Sequence, residues 1–193
     1  MNITCESCGG TFLMQHGRGR TPRYCSSACR QRAYRERARA RRPVFPERMT
    51  SVDRWTRADG KRPVMPSGAP ASSTDPSTWS SFSEVQQGAG DGFGFMLGGG
   101  IGCIDLDDCL SPGGELAPWA RAEIARWQGR VLFMERSMSG SGVHVFVEAD
   151  ERPGQVVGVS GGGRVERYFY GRFIRTTGDE VKLDRILLGD SQR

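Results

Sequence analysis

The sequence predicts a mixed protein of the α/β (α+β) class, preceded by a small cysteine-rich module. Six strands are predicted, near 93–97, 101–107, 131–136, 143–149, 165–170 and 172–177, and those at 101–107, 143–149 and 165–170 alternate apolar and polar residues with the period of a strand. Two other stretches carry apolar residues at helical spacing. The length allows one domain of about 130 residues with a small appendage. We therefore predict a module at 1–42, a linker at 43–53 and a main domain at 54–193.

Four of the six cysteines form two close pairs near the amino terminus, Cys5-x2-Cys8 and Cys25-x3-Cys29. Thiolates at this spacing converge on one tetrahedral ion, which indicates a structural zinc site (Zn²⁺) with no position open for water. Incidental or disulfide-bonded cysteines are the alternative. The remaining two, Cys103 and Cys109, are expected to be small core residues.

A basic helix is predicted directly after the second cysteine pair. Between His16 and Arg42 there are ten arginines and a single acidic residue, Glu36, with alanines that favour a helix. Residues 43–193 instead hold 17 lysines and arginines against 20 acidic residues, a net charge of −3, so the overall charge of +5 comes from the amino-terminal module. Charge of this kind favours a nucleic-acid partner, with a solvated helix as the alternative. The arginines assigned to single-stranded DNA template, or to RNA, are Arg30, Arg32, Arg35, Arg37, Arg39, Arg41 and Arg42.

Three further helices are expected in the main domain. Asp75 caps the first, which has Pro76 at its first position and Trp79, Phe82 and Val85 on its buried face. The second runs from about 116 to 128 and packs Trp119, Ala120, Ile124 and Trp127 in the core. A short amphipathic helix is expected at 181–188.

The strand at 101–107 brings two carboxylates to one face. Asp105 and Asp107 alternate with the apolar Ile104 and Leu106, so both point the same way. Carboxylates about 6 Å apart repel each other, and a hard divalent cation relieves that repulsion while leaving places for water and phosphate. A solvated acidic pair at a strand end is the alternative.

Two later segments offer groups that bind phosphate. The turn at 139–142 has small residues whose amides, with the hydroxyls of Ser139 and Ser141, can cradle phosphate oxygens beside His144. Glu166, on a later strand, is a candidate third metal ligand, and Arg172 a candidate partner for triphosphate. A core histidine and a surface ion pair are the respective alternatives.

With these residues in view, the stretch from about 55 to 179 resembles the archaeo-eukaryotic primase superfamily, specifically phage and plasmid primase-polymerase catalytic domains. The resemblance rests on motifs in matching order and spacing, although Met138 stands where a proline is usual. The motifs are Lys61-Arg62-Pro63, Thr74-Asp75-Pro76-Ser77-Thr78-Trp79, Gly94-Phe95, Ile104-Asp105-Leu106-Asp107, Pro118-Trp119-Ala120, Glu135-Arg136-Ser137-Met138-Ser139-Gly140-Ser141-Gly142-Val143-His144, Glu166-Arg167-Tyr168, Arg172-Phe173 and Thr177-Gly178.

The resemblance implies a sheet of the RNA-recognition type and a template-directed enzyme that can start chains. Asp105, Asp107 and Glu166 would hold two Mg²⁺ or Mn²⁺ ions. Nucleoside triphosphate would be bound by the groups Ser139, Ser141, His144, Arg172 and Lys61. The expected activity is that of a DNA primase or DNA-directed polymerase, a nucleotidyltransferase of phage or plasmid replication.

Two other classes of function stay open at this point. One is a non-enzymatic nucleic-acid-binding replication regulator, and the other is a metal-dependent nuclease or nucleotide hydrolase that uses the same carboxylates. The sequence has no Gly-x-x-x-x-Gly-Lys-Ser/Thr motif, so a helicase is expected as a separate chain. Without a signal peptide or a long apolar stretch, the protein is expected in the cytoplasm of a bacterial host cell, away from membranes.

Overall fold

The computed structural model describes residues 2–13, 22–30, 32–33, 45–111, 113–159 and 163–182. The chain divides into two compact units, Met1–Arg42 and Pro43–Arg193. Their secondary structure is mostly sheet with few helices, which confirms the mixed α/β class.

The amino-terminal unit contains a short antiparallel hairpin followed by helical residues. Strand β1 (Asn2–Thr4) pairs with β2 (Thr11–Leu13), and residues 27–30 and 32–33 are helical. The predicted basic helix therefore begins where expected, and Arg30 and Arg32 are both exposed. The other arginines assigned to it, Arg35, Arg37, Arg39, Arg41 and Arg42, lie outside the described residues.

In the described part of the larger unit, two helices and nine strands follow one another. The helices are α1 (Glu47–Thr50) and α2 (Pro118–Ala125). The strands are β3 (Trp55–Asp59), β4 (Arg62–Val64), β5 (Gly92–Met96), β6 (Ile101–Asp107), β7 (Val131–Arg136), β8 (Val143–Glu148), β9 (Gln155–Gly158), β10 (Arg164–Tyr168) and β11 (Phe173–Thr176). All six predicted strands are confirmed within two residues. Strands β3, β4 and β9 are additional.

Five of these strands form one antiparallel sheet, in the order β7-β8-β6-β10-β9. Its first four strands have the spatial order of an RNA-recognition sheet, with α2 in the connection from β6 to β7. Strand β9 lies in the connection from β8 to β10, where such sheets carry a second helix. The sheet is thus of the expected type, with one helix on its outer face.

A second antiparallel sheet, in the order β11-β5-β3-β4, packs against the first. The core between them is aromatic: Phe95 of β5 meets Phe146 of β8 edge to face, with ring centroids 6.1 Å apart. Trp55 of β3 is fully buried there and donates its indole N–H to the Met49 carbonyl at 2.9 Å.

The other face of the first sheet packs on α2. Its apolar contacts include Ile104, Val145 and Val165 from the strands and Ile124 from the helix. The predicted helix at 116–128 is confirmed in position but is shorter. Cys103 and Cys109 are buried core residues, as predicted.

Two predictions about local structure were wrong. The helix expected after Asp75 is instead a pair of short 3-10 helices, Pro76–Thr78 and Glu84–Gln86. Asp75 does cap the first, accepting from the Ser77 amide at 3.0 Å. The backbone becomes extended at Trp79, so Trp79, Phe82 and Val85 do not lie on one continuous helix.

The linker expected at 43–53 was also wrong for its described part, 45–53. Phe45 is 5% exposed and Met49 is fully buried in the aromatic core, because α1 covers one edge of it. The predicted helix at 181–188 lies outside the described residues from 183 onward. Within the described ranges, no helix is long and apolar enough to cross a membrane.

Candidate active site

Four ionisable side chains form a single row across the first sheet. Strand pairing places Glu135 on β7 opposite His144 on β8, His144 opposite Asp105 on β6, and Asp105 opposite Glu166 on β10. Directly paired residues of an antiparallel sheet share one face, with side chains about 5 Å apart. The sheet therefore brings together four groups that are distant in sequence.

The row lies where the core between the two sheets gives way to an open cleft. Toward one end of the same face, Cys103 and Phe146 are fully buried. Toward the other end, Asp105 and Asp107 are partly exposed, with 22% and 45% of their side chains accessible. Because alternate residues of a strand share one face, the side chains on this face of β6 change from fully buried to partly exposed between Cys103 and Asp105.

The cleft has a volume of about 600 Å³ and is walled by both sheets. Six predicted site residues line it: Lys61, Asp105, Asp107, Ser139, His144 and Arg172. Met138 and Arg175 also line it, whereas Glu166 and Ser141 do not. Basic and acidic groups thus face a common space large enough for a nucleotide-sized ligand.

The pKa of Asp105 is shifted by its surroundings in the row. Burial raises the pKa of its carboxyl above the ordinary range; nearby His144 opposes this shift, while Asp107 and Glu166 add to it. The nearest charged contact is His144 Nε2, 3.7 Å from Asp105 Oδ1. A cation at Asp105 would relieve the repulsion that the sequence predicts.

The pKa of His144 reflects two opposing effects. Burial alone would lower it, but the hydrogen bond and charge of Glu135, with the charges of Asp105 and Asp107, raise it above the ordinary value. The site therefore favours His144 as a hydrogen-bond donor.

Glu166 is buried and held by two neighbours. Arg164 forms an ion pair with it, and the Tyr168 hydroxyl donates to its other oxygen. Burial and this hydrogen bond raise the pKa of Tyr168 to about 12, so the hydroxyl stays a donor at neutral pH. Arg164 also reaches Asp107, with its Nε 3.5 Å from Oδ2. The Arg164 guanidinium thus contacts both Asp107 and Glu166, two of the three predicted metal ligands.

The acidic groups offer hard oxygen ligands but do not converge tightly. Among the described residues, the only set of three or more potential ligand groups with all atoms within 4.8 Å is the four-cysteine set. A divalent ion shared by Asp107 and Glu166 would require the Arg164 side chain to move aside. The donor chemistry fits Mg²⁺ or Mn²⁺.

The hydroxyls of Ser139 and Ser141, in the turn at 139–142, lie in different surroundings. Ser139 lines the cleft, while the Ser141 hydroxyl donates to Asp108 at 2.9 Å. Asp108 has a left-handed backbone, with φ of 51°. The Ser141 side chain thus fixes the turn to the end of β6. Ser141, predicted to bind phosphate, does not line the cleft.

Arg172 reaches the cleft from the second sheet, just before β11. Its guanidinium lies 4.6 Å from the centre of the Tyr168 ring. This contact leaves the polar edge of the guanidinium available to an anion.

Sequence reasoning assigned no role to Glu135 or Arg164. Glu135 follows Phe133 on a face of β7 that is otherwise core, and an acidic residue at such a position signals a special environment. Its pairing with His144 depends on the register of the β7–β8 hairpin, which is fixed by the length and type of the turn between the two strands.

The cysteine set in the amino-terminal unit has the geometry of a tetrahedral metal site. The Sγ atoms of Cys8 and Cys25 are 3.8 Å apart, and those of Cys25 and Cys29 are 3.5 Å apart. Zinc bonds of about 2.3 Å place tetrahedral sulfurs about 3.8 Å from one another. The Cys25 amide donates to the Cys5 sulfur and lowers the pKa of Cys5 to about 6, which favours a thiolate. The four residues therefore fit zinc.

No family model matches the chain. Over 150 residues it is 33% identical to a protein named DNA Primase-polymerase from Nitratiruptor phage NrS-1. The match covers 68% of this chain and 20% of that protein, so the chain spans about a fifth of its relative's length. This similarity supports the resemblance to primase-polymerases drawn from the sequence motifs.

Proposed function

We propose that this protein is a nucleotidyltransferase of the primase-polymerase type, acting on single-stranded DNA template with nucleoside triphosphates. The observation that carries the proposal is the row of Glu135, His144, Asp105 and Glu166, whose two middle members open into a cleft that Lys61 and Arg172 also line. Carboxylates on one side and cationic donors on the other match a triphosphate with its divalent ions.

In this proposal Asp105, Asp107 and Glu166 would hold two Mg²⁺ or Mn²⁺ ions. When bound, such ions activate the attacking hydroxyl and stabilise charge on the leaving phosphates. The 3′-hydroxyl oxygen forms the new bond to the α-phosphorus as the bond to the pyrophosphate oxygen breaks, and the hydroxyl proton passes to solvent water. Arg164 would have to leave its contacts with Asp107 and Glu166 to admit the ions.

The remaining cleft residues position the nucleotide. His144 donates to a phosphate oxygen from Nε2, because Nδ1 is occupied by Glu135. Arg172 and Lys61 balance phosphate charge from the opposite wall, and the turn around Ser139 supplies amide and hydroxyl donors. The protein's contribution is position and charge.

The amino-terminal unit, in this proposal, holds structural Zn²⁺ on Cys5, Cys8, Cys25 and Cys29 and grips the template backbone. Arg30 and Arg32 are exposed, and Arg32 donates to the Ser7 carbonyl at 3.3 Å. A helicase, where one is needed, acts as a separate chain.

One gel assay tests the proposal against its alternatives. Full-length protein is incubated with a labelled primer on a longer template, nucleoside triphosphates, and Mg²⁺ or Mn²⁺. Metal-dependent lengthening of the primer supports the proposal. Shortening of the DNA indicates the nuclease, and binding without either change indicates the regulator; both results contradict it.

A further inference from the structure

Glu135 is a fully buried carboxylate at the end of the row that it forms with His144, Asp105 and Glu166. It lies on β7 with no exposed surface and ranks among the largest fully buried side chains in the described part of the chain. Burying a carboxylate is costly unless its oxygens are paired. The identity of its partners therefore indicates why an acidic residue is kept there.

Three donors satisfy the two oxygens of Glu135. His144 Nδ1 lies 3.0 Å from Oε1. The amides of Thr177 and Gly178 donate to Oε2 at 3.0 Å and 2.7 Å. Within the described residues, the only side-chain cation paired with Glu135 is His144. Two fixed amides thus lock the carboxylate, leaving one oxygen aimed at the histidine.

This arrangement dictates which nitrogen of His144 carries a proton. An ionised carboxylate only accepts hydrogen bonds, so Nδ1 must be the donor. The ring is then fixed with Nε2 toward the cleft, 3.7 Å from Asp105.

Glu135 also connects the two walls of the cleft. Thr177 and Gly178 directly follow β11, the strand of the second sheet that contributes Ile174 and Arg175 to the cleft lining. The Thr177 hydroxyl also donates to the Arg136 carbonyl at 2.6 Å. One carboxylate therefore orients a residue of the floor and anchors the end of the opposite wall.

We propose that Glu135 is a positioning residue: it fixes the orientation and Nδ1 protonation of His144 and ties this ring to the end of β11, so that the two sides of the cleft meet a triphosphate together. The nucleotide part of this inference rests on the proposed function. The hydrogen-bonding part does not.

The first experiment reads the histidine directly by nitrogen-15 NMR of the full chain. The chain has only two histidines, so a His16→Gln variant assigns the His144 ring. We expect a proton on Nδ1 in the otherwise native protein. A bare Nδ1 there overturns the proposal, whether or not any variant folds.

Glu135→Gln then tests the source of this protonation. Its amide oxygen can replace Oε2 toward Thr177 and Gly178, which leaves its NH₂ group donating to His144 Nδ1. We expect the Nδ1 proton to be lost and Nε2 to become the protonated nitrogen. An unchanged ring spectrum in a folded variant overturns the proposal.

The second experiment measures binding of a deoxynucleoside triphosphate with Mg²⁺ by calorimetry. For Glu135→Gln we expect affinity about 10-fold weaker, with little further loss when it is combined with His144→Ala, because both changes remove one coupled interaction. Full additivity of the two losses contradicts the proposal.

Glu123→Gln is the matched control. Glu123 is a buried carboxylate of α2, which packs on the opposite face of the sheet, and it is paired with Arg167 and Trp127. We expect this variant to bind nucleotide within about 2-fold of the native protein, because Glu123 does not contact the cleft. If Glu135→Gln weakened binding only by lowering stability, Glu123→Gln would weaken it as well. Equal weakening in both variants contradicts a positioning role.

If the native protein binds no nucleotide, the proposed function fails, and the NMR result still decides the role of Glu135 toward His144.

Discussion

On one face of β6, side chains pass from the core to the cleft over a few residues. Ile101 and Cys103 are buried between the sheets, whereas Asp105 and Asp107 reach the cleft. All four are alternate residues of β6 and lie on the same face, so the two carboxylates directly adjoin buried core residues. Removing a carboxylate at the open end therefore leaves the packing beneath it in place.

Asp105→Ala and Asp107→Ala are expected to lower primer synthesis by on the order of 100-fold or more, because each removes charge that would hold metal and triphosphate. The measurement is primer extension at saturating Mn²⁺, with thermal unfolding and DNA binding recorded in parallel. Exposed Asp150, after β8, provides the control as Asp150→Ala. A tenth of native synthesis retained in either site variant contradicts the metal-ligand assignment.

His144→Ala and Arg172→Ala are expected to weaken nucleotide binding and slow turnover by about 10-fold each, because both meet phosphate charge that grows in the transition state. A nucleotide titration of steady-state extension separates KM from kcat. Arg126→Ala, which removes an exposed arginine just beyond α2, serves as the control. Unchanged titrations in both site variants would return His144 to the role of a core histidine.

At the scale of elements, helix α2 is fixed to the sheet by a buried ion pair as well as by apolar packing. Arg167 of β10 donates to both oxygens of Glu123, at 2.8 Å and 2.7 Å, and the Trp127 indole donates to one of them at 3.2 Å. Burial alone would raise the pKa of Glu123, but these partners lower it below the ordinary value. The pair is on the face opposite the site, so it contributes to stability without touching the cleft.

Glu123→Gln is expected to lower the free energy of unfolding by about 3 kcal/mol at pH 7, because Arg167 is left buried without its anion. The folded-state pKa of Glu123 lies below the unfolded value of about 4.3, so this stabilisation is complete above that pH and is lost as pH falls through the folded pKa. Urea unfolding of both proteins from pH 7 to pH 3 measures the difference.

That difference should shrink below about pH 4, where the native glutamate also becomes protonated. Arg126→Ala again provides the comparison, because its contact with Glu123 is long, at 3.7 Å, and largely exposed. A difference that stays constant down to pH 3 would assign the effect of Glu123→Gln to packing.

At the scale of the whole molecule, charge is divided between the two units. The first 42 residues hold ten arginines against two glutamates, while the remaining residues carry a net charge of −3. An acidic catalytic unit gains little from long-range attraction to a nucleic-acid backbone. The basic unit is therefore expected to supply most of the salt-dependent binding.

Deleting residues 1–42, or replacing Cys5 and Cys8 with serine, is expected to spare extension of an annealed primer but to cripple initiation. A new chain has only two weakly held nucleotides, so it depends more on an added hold on the template. The loss should be greatest at physiological salt and partly restored at low salt. Initiation and extension are measured across a salt series, with zinc content confirming the state of each protein. Equal initiation by truncated and full-length protein would assign the unit to another task, such as docking a replication partner.

The sequence by itself determined the local features of this protein. Alternation is a property of neighbouring residues. It indicated the strands at 101–107, 143–149 and 165–170 and set Asp105 and Asp107 on one face. The close spacing of Cys5 with Cys8 and of Cys25 with Cys29 likewise indicated a convergent set of sulfurs, and these four atoms do converge in the structure.

Only the tertiary structure decided which of these groups meet. Register between β6 and β10 joins residues up to 65 positions apart, as with Cys103 and Tyr168, so no local pattern could place Glu166 beside Asp105. It also turned Ser141 toward Asp108 and drew Phe45 into the core. The physical reason is that burial and side-chain pairing are settled by contacts across the assembled sheets, and those contacts override the preferences of short segments.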